Sequence, residues 1–177
     1  MTIRSLALSL SVNGSWFALA SLLPVVATLA VAVPVAANAQ IGDAGYPFSG
    51  TRTVTSSQAF DAVVTRLEKA IEVNKMGLVA QASASRGAAG RGVKIRGNMV
   101  LMVFRNDYAV RMLAASVPAG IEAPLRLYIT EGQDGRTSVT WRSPSATFAP
   151  YASADLDAMA RELDPIFEKI VRDATAN

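Results

Sequence analysis

Residues 98–142 read NMVLMVFRNDYAVRMLAASVPAGIEAPLRLYITEGQDGRTSVTWR. The stretch opens on an unbroken apolar run, residues 99–104. Continuous apolarity of that length predicts a strand buried on both faces. Asn106 or Asp107 is placed to cap a short helix over residues 108–115, with Val110, Leu113 and Ala114 turned inward. Residues 117–124 hold two prolines and a glycine and read as a loop. After it, Leu125, Leu127 and Ile129 alternate with Arg126, Tyr128 and Thr130. Thr137, Val139 and Trp141 then alternate with Ser138, Thr140 and Arg142. Each set is a strand with one apolar and one polar face.

The turn between these two strands decides how the faces line up. Asp134-Gly135 as a two-residue hairpin loop would pair Val139 with Thr130 and Trp141 with Tyr128, mixing apolar and polar positions. A three-residue loop, Gln133-Asp134-Gly135, pairs Val139 with Ile129 and Trp141 with Leu127. A one-residue slip inverts a whole face, so the three-residue loop is expected, with Gly135 in the left-handed region.

Working outward, residues 51–55 (TRTVT) form a β-prone run. Over residues 58–74 the side chains Phe60, Val63, Val64, Leu67 and Ile71 recur at helical spacing. Ser56 or Ser57 is expected to cap this helix and Gly77 to end it. Residues 78–83 alternate weakly and read as a strand. Residues 85–97 (SRGAAGRGVKIRG) carry four glycines and four basic residues with no acid. Such a loop can offer N–H groups and charge to an anion, or be a solvated connection. Residues 143–151 read as a loop. Ser153 is expected to cap a final helix whose apolar side is Leu156, Met159, Ala160, Leu163, Phe167, Ile170 and Val171. Pro165 either kinks that helix or begins a second segment capped by Asp164.

The resulting order is β-α-β-β-α-β-β-α. It predicts an α+β fold: a single two-layer domain with helices packed on one face of a mostly antiparallel sheet.

The chain has 177 residues and neither cysteine nor histidine. Disulfides, thiol nucleophiles, imidazole bases, Cys/His zinc sites and Cys-linked haem are therefore excluded. Carboxylate, Lys, Tyr and Ser chemistry is left, and neither a cofactor nor a metal is called for. Residues 1–39 carry one charge, Arg4, and residues 16–37 carry none. With Ala37-Asn38-Ala39 as a small-x-small site, this reads as a signal peptide; an uncleaved anchor helix is the alternative. Cleavage would leave 138 residues bearing 16 basic and 14 acidic side chains, a balance that does not argue for nucleic acid. Residues 40–50 then form a linker or arm ahead of one domain over 51–177. The implied location is periplasmic or secreted, with a membrane as partner only where the first segment is retained.

The sequence Val103-Phe104-Arg105-Asn106, followed by Ala123-Pro124-Leu125-Arg126-Leu127, Asp134-Gly135 and a strand ending near Pro144, resembles the bacterial domain-of-unknown-function 302 family. The resemblance runs from about Thr53 into the last helix. The family usually shows Phe-Gly-Asn-Pro where this chain has Phe104-Arg105-Asn106-Asp107. The resemblance implies a small α+β domain, often dimeric, with no established activity to carry over.

Two surfaces invite function. In the three-residue-loop register Arg126 faces Arg142, Tyr128 faces Thr140 and Thr130 faces Ser138. Like charges directly opposite are unfavourable without a partner, so Arg126, Tyr128, Thr140 and Arg142, joined by Arg105 at the end of the apolar strand, form a candidate face for a small anionic ligand. Side chains splayed into solvent are the plain alternative. The second surface follows from the apolar run, since helices can cover only one of its faces. A second copy of the chain, giving a homodimer, or the arm with Tyr46 and Phe48 would cover the other. A non-enzymatic binding module is the leading expectation. An enzyme using carboxylate and Tyr groups is the alternative, although Asp107 is better placed as a cap than as an acid, and Asp155 and Asp157 do not share a helical face.

Overall fold

The structure, a computed structural model, describes residues 45–176. The segment 1–39, read above as a signal peptide, lies outside the described residues. Five strands form one antiparallel sheet: β1 (Thr51–Ser56), β2 (Gly77–Ala82), β3 (Asn98–Phe104), β4 (Leu125–Glu131) and β5 (Thr137–Arg142), in the order β1-β5-β4-β3-β2. The helices are α1 (Phe60–Val73), α2 (Ala84–Ala89), α3 (Asn106–Ala115), α4 (Pro144–Phe148) and α5 (Ala154–Thr175). This is the expected α+β order with two short helices, α2 and α4, added where loops were expected.

The hairpin adopts the three-residue loop. Leu127 pairs with Trp141, Tyr128 with Thr140 and Ile129 with Val139. The Gly132 N–H donates to the Arg136 carbonyl at 2.8 Å, and Gly135 has φ +76°. Met99, Leu101 and Val103 of β3, Leu127 and Ile129 of β4, and Val139 and Trp141 of β5 therefore share one face, and all are buried. α1 and α5 cover that face. Every apolar residue assigned to α5 is buried, and Val63, Val64, Leu67 and Ile71 of α1 meet them. α5 runs unbroken through Pro165, so the split at Asp164 does not occur. Asp164 instead accepts a hydrogen bond from the Ser145 N–H at 2.9 Å, which ties α5 to α4. Ser153 caps α5 as expected, accepting from Leu156 N–H.

Several expectations are corrected. The β3 run alternates buried and half-buried positions and is buried on one face only. α3 begins at Asn106 with neither Asn106 nor Asp107 capping it; Arg105 is the N-cap residue and makes no side-chain cap. α3 also turns the other way: Tyr108 and Met112 face the core, whereas Val110 is 60% and Leu113 46% exposed. The helix is apolar on more than one side; the Tyr108 and Met112 side packs into the core, and Arg111 beside it pairs with Glu162 of α5. Neither Ser56 nor Ser57 is the N-cap of α1, which is Ala59 without a side-chain bond. The Ser56 hydroxyl instead accepts from Gln58 N–H and donates to the Thr175 carbonyl. Asn74 terminates α1, and Gly77 already belongs to β2.

Candidate functional site: the helix-free sheet face

Strand alternation puts cross-strand partners on a common face, so the register defines what lies opposite the helices. β1 supplies Thr51, Thr53 and Thr55, paired with Arg142, Thr140 and Ser138 of β5. β4 supplies Arg126, Tyr128 and Thr130; Tyr128 sits across from Thr140 on one side and from Val100 of β3 on the other. β3 adds Met102, across from Arg126, and Phe104, across from Gly77 of β2. The face thus divides into a hydroxyl-rich half on β1 and β5 and an apolar row, Val100, Met102 and Phe104, on β3.

The hydroxyl half is internally satisfied. Thr53 Oγ1 and Thr140 Oγ1 lie 2.9 Å apart, as do Thr55 Oγ1 and Ser138 Oγ. The N-terminal arm reaches over it: the Tyr46 hydroxyl donates to Thr140 Oγ1 at 3.5 Å, and Thr140 is only 5% exposed. Arg142 secures that arm. Its guanidinium donates to the Ser49 carbonyl at 3.3 Å and the Ala146 carbonyl at 2.6 Å, and lies 5.7 Å from the centre of the Phe48 ring. Gly50 lets the chain turn there: it has φ +73°, and a Cβ would lie 2.1 Å from Cβ of Ala146.

The five candidate residues are therefore divided. Tyr128 and Thr140 are cross-strand neighbours, as the register required. The β4–β5 pairing ends at Leu127 and Trp141, one position before Arg126 and Arg142; on its other side Arg126 is partnered by Met102 of β3, and Arg142 by Thr51 of β1. Arg142 is held by carbonyls, so Arg126 is the cation this face leaves without a hydrogen-bond or ion-pair partner among the described residues. Beside it the Asn98 side-chain amide donates to the Tyr128 hydroxyl at 2.6 Å.

Arg105 does not join the face. It follows Phe104 in the alternation and turns to the helix side. There it grips Asp107 through two hydrogen bonds, at 2.7 and 3.0 Å, and stacks 4.2 Å over the Tyr108 ring. Arg111 approaches the same ring at 5.4 Å and makes a two-pronged pair with Glu162 of α5, both bonds 2.8 Å. The network was not anticipated as a whole, because Arg111 and Glu162 lie 51 residues apart in the chain. It rims a small apolar pocket lined by Met76, Met112, Phe148, Met159 and Leu163, with a free volume of about 30 Å³, the scale of a water molecule. Among the described residues no group of three or more acidic side chains is placed to hold a metal.

The Arg105 guanidinium holds the Asp107 carboxyl below its ordinary range, and Arg111 does the same to Glu162. A carboxyl depressed in the folded state contributes stability above its unfolded pKa, near 4, and loses that contribution as pH falls through the lower folded value. Glu162→Gln is accordingly expected to flatten the acid side of the curve of Tm against pH below about pH 4.5. Thermal unfolding from pH 7 to 3 checks this. Parallel curves for variant and parent would show that the pair contributes nothing.

A family model for the domain of unknown function DUF302 matches residues 52–174. The chain belongs to the DUF302 family. The match spans β1 to α5, the whole two-layer unit. A crystal structure of an uncharacterized conserved DUF302 protein from Bacillus stearothermophilus superposes with a TM-score of 0.64 at 18% identity, covering 71% of this chain and 98% of that one. At that identity the likeness shows the fold alone. No curated protein matches the sequence.

Proposed function

We propose that this DUF302 domain is an exported, non-enzymatic binding module that works as a homodimer through its helix-free sheet face, with Arg126 and Tyr128 placing a small anionic group at the edge of that face. The observation that carries the reading is the row Val100, Met102 and Phe104, which stands on the face no helix covers. The arm with Tyr46 and Phe48 sits over the neighbouring β5 half of the face. A second copy set against the open half would remove the row from water at roughly 25 cal/mol per Å² of apolar area. It would also bring two copies of Arg126 to the rim of a symmetric interface, where an anion can bridge them. Export rests on the uncharged segment 16–37 and the Ala37-Asn38-Ala39 site. Among the described residues no helix is long and apolar enough to cross a membrane.

Titration calorimetry with inorganic phosphate and with a dicarboxylate tests the anion part. The parent chain is expected to bind, and Arg126→Gln to weaken binding about tenfold or more, the scale of one charged hydrogen bond. Unchanged binding in Arg126→Gln would remove the anion from the account.

A further inference from the structure

The end of the sheet farthest from the arm carries a second surface. The β2–β3 connection and the β4–β5 hairpin meet there. Gly97 and Glu131 are bound both ways: the Glu131 N–H donates to the Gly97 carbonyl at 2.9 Å, and the Gly97 N–H donates to the Glu131 carboxylate at 2.9 Å. Arg96 donates to the Gly132 carbonyl at 3.3 Å. Gly97 packs against the ring of Phe60, where a Cβ would come within 2.5 Å of ring carbon. The two connections, residues 83–97 and 131–136, are thus anchored as one surface.

Their charge is one-sided. They hold five cations, Arg86, Arg91, Lys94, Arg96 and Arg136, against two carboxylates, Glu131 and Asp134. Both carboxylates are engaged by backbone, Glu131 with Gly97 N–H and Asp134 with Arg136 N–H. The ion pair of Arg86 with Asp61 on α1 is long, at 3.9 Å. The side chains of Arg91 and Lys94 have no hydrogen-bond or ion-pair partner among the described residues. Interleaved with them, Val93 is 51% and Ile95 46% exposed. The chain holds this segment out by folding back on α2: Val93 N–H donates to the Ala88 carbonyl at 3.0 Å, with Gly92 at φ +75°.

Cations alone would suit any polyanion. Two exposed aliphatic side chains among them narrow the choice, because aliphatic groups offer a nucleic acid no stacking platform, whereas at a bilayer surface they leave water while the cations meet the headgroups. We propose that the segment 91–96 docks on the surface of an anionic lipid bilayer, with Val93 and Ile95 entering the headgroup region between Arg91, Lys94 and Arg96. A second exposed apolar group among the described residues, Val110, Leu113, Val117 and Ile121, has only Arg111 within it, and Arg111 is paired with Glu162.

The chain has no cysteine, so a single Val93→Cys in the full chain can carry an environment-sensitive fluorophore that reports this segment whatever the N-terminal segment does. With phosphatidylglycerol-containing vesicles the label at 93 is expected to shift to the blue, and 0.5 M salt to reverse the shift. Phosphatidylcholine vesicles are expected to give none. Each of Arg91→Gln, Lys94→Gln and Arg96→Gln should lower the apparent partitioning about fivefold. A label at Val110→Cys should not respond. Absence of a shift, an equal shift with phosphatidylcholine, a shift at 110 in place of 93, or the same shift with polyglutamate or DNA would each overturn the proposal.

Discussion

Phe167→Ala is expected to lower the free energy of unfolding by about 3–5 kcal/mol, the range for removing a buried aromatic ring. Phe167 is 1% exposed on α5, inside the cluster that α1 and the sheet close over. Small domains carry only about 5–15 kcal/mol in all, so this one change removes a large part of the margin. A urea titration reads it as a lower midpoint with an unchanged slope. Val110→Ala is the matched control: Val110 is 60% exposed, and its change should stay within about 0.5 kcal/mol. A loss at Val110 as large as that at Phe167 would mean that α3 packs through the side expected from sequence.

That contrast marks where the sequence is legible. The hairpin register followed from Ile129, Leu127, Val139 and Trp141 alone, because only one loop length lets four apolar residues share a face. The buried side of α5 was equally plain, since seven apolar positions fall on one stripe over 22 residues. α3 has ten residues and offers two apolar sides; the one that packs carries Tyr108 and Met112, and it is fixed by tertiary packing that no local pattern encodes. Residues 99–104 looked buried on both faces because Val100, Met102 and Phe104 are as apolar as their neighbours, yet they fall on the face the helices leave open. α2 and α4 are too short to form on propensity. For α4 a signal was present, since Ser143 caps it and Pro144 stands at its first turn. The candidate site was half legible: the Tyr128–Thr140 pairing followed from register, whereas the capture of Arg142 by the arm depends on a tertiary contact, and Arg105 is drawn off by Asp107, two residues on.

Met102→Glu is the second large expected effect. Met102 stands in the apolar row beside Arg126, and at a two-fold interface each substitution is made twice. Loss of an apolar side chain at about 1.5–3 kcal/mol, with a carboxylate to desolvate on each copy, should raise the dimer dissociation constant at least 100-fold. The isolated fold should be little affected, because Met102 is half-buried and faces away from the core. Sedimentation velocity reads the dissociation, and circular dichroism confirms that the chain is folded. A Met102→Glu chain that sediments as the parent does would place the interface elsewhere.

The most direct test is the mass of the protein begun at Gln40, measured by light scattering across micromolar concentrations; the core of the described residues runs from Val54 to Ala174, so this chain retains all of it. A sheet face closed by a second copy gives twice the chain mass in the parent and the single mass in Met102→Glu. A single mass in the parent at every concentration contradicts it.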